Sequence, residues 1–88
     1  MARDAKFDWD DANLGHVARH GVTPAEVEQA VANHPLVLAV QERGAEERVL
    51  CAGLTDAGRA LQFVYTMRRG RIRVITAHTA HRRVRQRL

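Results

Sequence analysis

The sequence predicts a single α+β domain in which two N-terminal helices cover one face of a four-stranded antiparallel β-sheet and a short helical segment follows the last strand. The 88 residues allow one modest hydrophobic core, so residues 1–88 are expected to form one domain. Apolar residues make up 45% of the chain and charged residues 27%, which excludes the composition of a disordered protein. Helix signals precede Pro35 and strand signals follow it, so the elements are expected in that order.

The first helix is predicted from its two ends. Asp8 or Asp10 can cap its start, and the helix then runs through Arg19. Gly21 follows at the position where a residue in the left-handed conformation commonly ends a helix.

The second helix has the stronger start signal. Thr23 and Glu26 form a capping box, and Pro24 occupies the first helical position. Val22 and Val27 can form a hydrophobic staple. The helix is expected to run to about Asn33 and to break at His34-Pro35, because the residue before a proline avoids the helical conformation.

Four strands are predicted after Pro35, in the runs LVLAVQ, ERVLCAGL, ALQFVYTM and RIRVITA. The connections RGAE, TDAG and RRG are short, so the strands form an antiparallel meander. Alternation along the last two strands predicts one core-facing row on each, and it places Arg71 and Arg73 on the opposite face. The row on the third strand is Leu61, Phe63, Tyr65 and Met67, and the row on the fourth is Ile72, Val74, Thr76 and His78. A single β-bulge would turn His78 to the other face. The end, HRRVRQRL, is long enough for one or two helical turns.

Charge is divided unevenly along the chain. Residues 1–56 carry ten acidic and five basic residues, whereas residues 57–88 carry nine arginines and no acid. A polyanion or an acidic protein is the partner that this division favours.

Cys51 is the only cysteine and has apolar neighbours, so it is expected to be a buried thiol without a disulfide partner. No apolar run reaches the roughly 20 residues of a membrane span. The N-terminal stretch MARDAKFDWD is too polar for a signal peptide, so a cytoplasmic location is expected.

Several segments together resemble one known family. FDWD, RHGVTPAEVEQA, EERVL and GLTDAGRALQFVYTMRRGRIRVITA, followed by a basic end, resemble the BrnT family of bacterial type II toxins over nearly the whole chain. The resemblance implies a RelE-like α+β ribonuclease that blocks translation, and a BrnA-like antitoxin that represses the operon through its own DNA-binding part. Thr76, Ala77 and Ala80 match the family's last segment, whereas His78 and Val84 replace its arginine and glutamate.

A metal-independent ribonuclease needs a base for the ribose 2′-hydroxyl, an acid for the leaving 5′-oxygen and cations for the charge that develops on the phosphate. Histidine can perform either proton transfer near neutral pH. The stretch TAHTAHRR supplies such groups, so the candidate catalytic residues are His78, His81, Arg82 and Arg73. The candidate RNA-binding residues are Arg48, Arg59, Arg71, Arg83 and Arg85. Catalysis requires His78 or His81 to be exposed beside arginines on the open face of the sheet.

Several polar residues also have a purely structural interpretation. His78 can close the end of the core through a hydrogen bond, and Tyr65 lies on the apolar row. Arg48 and Arg59 can pair with acids, for which Glu46, Glu47 and Asp56 are the candidates. His16 and His20 of the first helix have a spacing that could bind zinc. Two ligands are too few for a zinc site, so no metal or cofactor is expected.

The favoured function is therefore a ribonuclease toxin of a type II toxin–antitoxin system. The alternative is a non-catalytic BrnT-like protein that binds its antitoxin and possibly RNA. A module that binds DNA directly is disfavoured, because no helix-turn-helix recognition helix is evident and operator DNA is expected to be reached only through the antitoxin. An acidic segment of the antitoxin is expected to cover the arginines in a salt-sensitive complex.

Overall fold

The computed structural model describes residues 6–88 and confirms the predicted α+β class and order of elements. The first five residues, which form half of the stretch judged too polar for a signal peptide, lie outside the described residues. The elements are α1 (Asp11–Arg19), α2 (Pro24–Ala32), β1 (Leu36–Arg43), β2 (Glu46–Leu54), β3 (Ala60–Arg68), β4 (Arg71–Thr79) and α3 (Arg82–Arg85). The strands form one antiparallel sheet in the order β1-β2-β3-β4. Likeness to the RelE fold stays a prediction.

Both ends of α1 are determined by local hydrogen bonds. Asp10, the second of the two predicted caps, accepts from the backbone N–H groups of the first turn. Gly21 follows the helix with φ +70°. Its N–H donates to Ala18, and the N–H of Val22 donates to Val17, which satisfies two carbonyls that the helix leaves unpaired. The predicted cap and left-handed end of α1 are confirmed.

The start of α2 also forms as predicted. The Glu26 N–H donates to the Thr23 hydroxyl, and the Thr23 N–H donates to the Glu26 carboxylate, so two backbone donors at this helix start are satisfied. Pro24 is the first residue of the helix, and the helix ends at Ala32 with Asn33 as its cap.

Both helices pack on one face of the sheet, α1 against β4 and α2 against β2 and β3. The largest fully buried side chains come from both layers: Phe63, Leu61, Val17, Val27, Val74 and Cys51. Burial raises the pKa of the Cys51 thiol, which agrees with the prediction of a structural cysteine. Asn13 ties the two layers together, because its side-chain amide donates to the carbonyls of Asp8 and Val74.

A β-bulge in β4 corrects the predicted core-facing row of that strand. Val64 pairs with Thr76 and Tyr65 pairs with Val74, so Ile75 is an extra residue. Val74 and Ala77 are fully buried, and Thr76 and His78 turn to the opposite face. The prediction that Thr76 and His78 face the core was wrong.

The row predicted on β3 holds only in part. Leu61 and Phe63 are buried and Tyr65 packs against the core, but Met67 is 57% exposed because the strand extends beyond the helices there. Val37 and Val40 of β1 are similarly exposed, since the main contacts of α1 and α2 are with β2, β3 and β4.

The predicted C-terminal helical segment lies at the open face. The His81 N–H donates to the side chain of Gln62, and Arg87 and Leu88 line a depression with Leu36 and Leu54. No helix among residues 6–88 is long and apolar enough to cross a membrane.

Candidate active site

Three histidines meet where α1 ends beside the edge strand β4, and we call His16, His20 and His78 the histidine cluster. The ring centroids of His16 and His20 lie 5.4 Å apart, one helical turn from each other along the chain. The ring of His20 meets that of His78 edge to face at 6.2 Å. His20 is exposed and the other two are half-exposed, so solvent and ligands reach the cluster.

The backbone fixes the proton arrangement of His78. Its Nδ1 lies 2.8 Å from the carbonyl oxygen of Thr79. A carbonyl oxygen only accepts hydrogen bonds, so Nδ1 carries the hydrogen in this contact. Neutral His78 therefore presents an unprotonated Nε2, the form required of a general base.

Arg59 forms hydrogen bonds that connect the end of α1, which carries His20, to the end of β4, which carries His78. Its Nη1 donates to the carbonyl of Gly21, the residue after His20, at 3.0 Å, and its Nη2 donates to the hydroxyl of Thr79, the residue after His78, at 2.9 Å. The same guanidinium pairs with Glu26 of α2 at 3.0 Å. This partner was not among the acids considered from the sequence. A planar fork with several donors suits such bridging, which an ammonium group does not reproduce.

Hydrogen bonds stabilise the ionised form of Glu26. The Thr23 backbone N–H and the Arg59 guanidinium both donate to its carboxylate, and together they hold its pKa below the ordinary value against the opposing effect of burial. The charge of Arg59 is therefore matched, and its main contribution here is to position the ends of α1 and β4.

His81 and the arginines after it form a separate group. His81 caps α3, and its Nδ1 accepts from the N–H of Arg83 at 3.4 Å, so its Nε2 carries the hydrogen when the ring is neutral. His81, Arg82 and Arg83 line an open depression of about 420 Å³ with Gln86. The ring that packs against His78 is that of His20 rather than that of His81.

Arg73 lies at the N-terminal end of α1, where it lines a depression of about 180 Å³ together with His16 of the histidine cluster. Its Nη2 donates to Oδ1 of Asp10 at 3.2 Å, and its Nη1 contacts Asp10 at 3.0 Å and Asp8 at 3.5 Å as ion pairs without hydrogen-bond alignment. Its side chain is only 12% exposed. The hydrogen bond from Arg73 lowers the pKa of Asp10 and raises that of Arg73 itself. Arg73 would reach a phosphate only by giving up these partners.

The remaining candidates are spread over the molecule. Arg48 pairs with Glu46 at 2.8 Å, one of the acids expected from the sequence, and the pKa of that carboxyl is lowered mainly by this hydrogen bond. Arg71 is exposed at the β3–β4 turn, and Arg83 and Arg85 are exposed on α3. Tyr65 is partly buried, which raises the pKa of its hydroxyl.

His20 was not predicted from the sequence as a partner of His78. The two residues are 58 positions apart, and the only local signal was the four-residue spacing of His16 and His20, which was weighed as a zinc motif. In the described part of the chain, no three His, Cys, Asp or Glu side chains are grouped so as to hold a metal ion.

Comparison with known proteins assigns the family. The profile of the ribonuclease toxin BrnT of type II toxin–antitoxin systems matches residues 9–83. Searches of curated proteins and of solved structures give no match. The matched region holds the histidine cluster, Arg59 and the start of the basic C-terminal segment. This chain therefore belongs to the BrnT family of ribonuclease toxins of type II toxin–antitoxin systems, and an antitoxin is its partner.

Proposed function

We propose that this protein cleaves RNA without a metal ion and thereby inhibits translation in the cytoplasm, with His78 as the general base. The observation that carries the proposal is the geometry of His78: its Nδ1 contacts the Thr79 carbonyl, its Nε2 is free to accept a proton, and its ring lies against a second imidazole. Proton transfer by a positioned histidine typically contributes about 10²–10⁴-fold to a rate.

In this mechanism, Nε2 of His78 removes the proton from the ribose 2′-hydroxyl, whose oxygen attacks the adjacent phosphorus. The bond to the 5′-oxygen breaks as an imidazolium donates a proton to that oxygen, leaving a 2′,3′-cyclic phosphate. Two histidines are placed for the acid role. His20 touches the ring of His78, and His81 is the candidate from the sequence.

Cations that stabilise the developing negative charge come from the arginines near the C-terminus. Arg82 follows His81 directly and lines the same depression, which supports the proposed catalytic role of Arg82. Arg73 stays in the proposed catalytic set, although the structure places it in ion pairs with Asp8 and Asp10. Among the proposed RNA-binding arginines, Arg48 and Arg59 are paired with acids. The other three are exposed: Arg71, Arg83 and Arg85.

The antitoxin is proposed to be BrnA-like and to carry the DNA-binding part of the complex. An acidic segment of it would cover Arg82, Arg83 and Arg85 on α3, where no carboxylate of residues 6–88 pairs with them. Covering these charges would block RNA binding and hold the toxin inactive.

The test is cleavage of end-labelled RNA by purified free toxin, with and without EDTA, for the parent chain and for His20→Ala, His78→Ala and His81→Ala. We expect EDTA to leave the rate unchanged and His78→Ala to lower it at least about 100-fold. RNA with a 2′-deoxy group at the cleavage position should resist cutting, since the nucleophile is then missing. Inhibition of a cell-free translation extract should follow the same order among the variants.

His34→Asn is the matched control, because His34 is exposed, lies outside the cluster and has φ +57°, a conformation that Asn tolerates. A folded His78→Ala variant that cuts as fast as this control would remove His78 from the mechanism. A folded parent chain that binds its antitoxin but cuts no RNA would favour the non-catalytic alternative, with the replacements at His78 and Val84 as its explanation.

A further inference from the structure

The β3–β4 turn breaks two local rules within four residues. Arg69 and Gly70 form a two-residue turn in which both residues have positive φ, +54° and +76°. Turns of this kind favour Asn-Gly, Asp-Gly or Gly-Gly, and a side chain as long as that of Arg is uncommon at the first position. Arg68 and Arg71, on either side of the turn, pair directly across the strands, where like charges repel each other.

The neighbouring hairpin shows the ordinary arrangement. In the β1–β2 hairpin the last cross-strand pair is Arg43 with Glu46, which carry opposite charges, and Gly44 takes the positive φ. Departures from local preference tend to concentrate at functional sites. The Arg68–Arg71 stretch therefore indicates a role other than turn formation.

The acids near this turn do not neutralise it. Arg68, Arg69 and Arg71 line an open depression of about 410 Å³ with Asp8. Asp8 already contacts Arg73, and Glu46, which lies 3.9 Å from Arg68, is hydrogen-bonded to Arg48. Within residues 6–88, neither Arg69 nor Arg71 has an ion-pair partner.

We propose that Arg68, Arg69 and Arg71, here called the hairpin tip, form a second phosphate-binding site for RNA, away from the histidine cluster. The inference rests on the proposed ribonuclease function. Guanidinium groups bind phosphate through paired hydrogen bonds, which suits Arg69 and Arg71, since neither has a carboxylate partner within residues 6–88, and Arg68, whose one carboxylate contact is long at 3.9 Å. An anion between Arg68 and Arg71 also removes the repulsion across the strands.

The placement of the hairpin tip defines the kind of RNA that it helps to bind. His78 lies seven positions after Arg71 in β4, which is a distance of roughly 20–23 Å along an extended strand. A strand of several nucleotides, within the roughly 4–16 nucleotides of other single-strand sites, can contact both ends of the β3–β4 hairpin. A very short RNA can contact only one of them.

The test measures RNA binding by fluorescence anisotropy in a His78→Ala background, which prevents cleavage during the titration. The tip variants are Arg69→Asn and Arg71→Gln, alone and together. Arg43→Gln of the β1–β2 hairpin is the control for each single variant, because the loss of charge is equal. The ligands are single-stranded RNAs of about 3 and about 10 nucleotides, at several salt concentrations. Poly-glutamate serves as a competing acidic polypeptide.

We expect each tip variant to weaken binding of the longer RNA about fivefold to tenfold relative to the control. Affinity decreases as salt rises, and the steepness of log affinity against log salt should decrease by about 0.7 for each RNA phosphate that the variant no longer neutralises. Binding of the shorter RNA at the histidine cluster should change less. Arg69→Asn should also raise Tm by a few degrees, because Asn suits its backbone conformation, so weaker binding by this variant is not caused by unfolding.

Equal affinities and salt slopes for the tip variants and the control would overturn the proposal while leaving the ribonuclease function intact. Tip variants that lose poly-glutamate binding and keep RNA binding would overturn it in favour of an acidic protein partner. A parent chain that neither binds nor cuts RNA would overturn both this inference and the proposed function.

Discussion

The two ends of the β3–β4 hairpin carry the same side chain in different electrostatic settings. At the end beside the histidine cluster, Arg59 is matched by Glu26 and holds the residues that follow His20 and His78. At the hairpin tip, Arg69 and Arg71 have no carboxylate partner in the described part of the chain. An arginine that is paired inside the fold positions other groups, and an exposed arginine without a partner is available to an external anion.

The total charge of residues 57–88 therefore overstates the positive charge that is available to a ligand. Within residues 6–88, three of the nine arginines in this region contact carboxylates of the N-terminal half: Arg59, Arg68 and Arg73. The two halves of opposite charge in the sequence are partly compensated in space. The six arginines without such a contact in the described residues lie at the hairpin tip and in the C-terminal segment: Arg69 and Arg71, then Arg82, Arg83, Arg85 and Arg87.

The largest effect that tests this contrast is expected from Arg59→Met. Loss of the bridge between Gly21, Glu26 and Thr79 should lower the cleavage rate more than tenfold and lower Tm by roughly 5–10 °C, because a hydrogen-bonded, half-buried anion loses its partner. Arg83→Met, at an exposed arginine without such partners, should change Tm by less than about 2 °C. Thermal unfolding and cleavage assays on both variants make the comparison. Equal decreases in Tm would mean that the distinction between positioning and free arginines is wrong.

A smaller effect is expected in the antitoxin complex. Raising salt about fourfold should weaken the affinity of the toxin for its antitoxin about tenfold, because exposed charges are screened. Arg83→Gln should reduce this salt dependence, whereas Arg48→Gln should leave it unchanged, since Arg48 is already paired with Glu46. Binding isotherms at several salt concentrations measure both. An affinity that does not respond to salt would contradict a charged interface.

The smallest effect is expected in acid. The folded-state pKa of Glu26 is lowered, so its contribution to stability is present above its ordinary pKa and is lost as pH falls through the lower folded value. Tm should stay nearly constant from pH 7 to 5 and fall by a few degrees more in the parent chain than in Glu26→Gln between about pH 4.5 and 3. Tm is measured across this range for both proteins. Parallel curves would show that Glu26 does not contribute in this way.

Local signals predicted most of the fold. The capping box of Thr23 and Glu26, the left-handed Gly21 and the short turns between apolar runs each depend on residues within a few positions, and all of them form as expected. Strand ends were less accurate, with β4 extending to Thr79 rather than to residue 77.

The candidate site was less predictable because it depends on register and on distant contacts. A single extra residue, Ile75, reversed the facing of Thr76 and His78, and strand alternation carries no signal for where a bulge falls. The pairing of His78 with His20 joins the edge strand to the end of α1. The ion pairs of Arg59 with Glu26 and of Arg73 with Asp10 span 33 and 63 positions.

The sequence by itself determined the helices, the meander, the separation of charge and the family resemblance, because these depend on near neighbours and on composition. Only the tertiary structure decided which imidazole meets His78 and which arginines keep their charge free. Those outcomes depend on the packing of α1 along β4 and of α2 on β2 and β3, which brings acids of the first half beside arginines of the second. Ion pairs and hydrogen bonds form between groups a few ångströms apart in space, so separation along the chain does not reveal them.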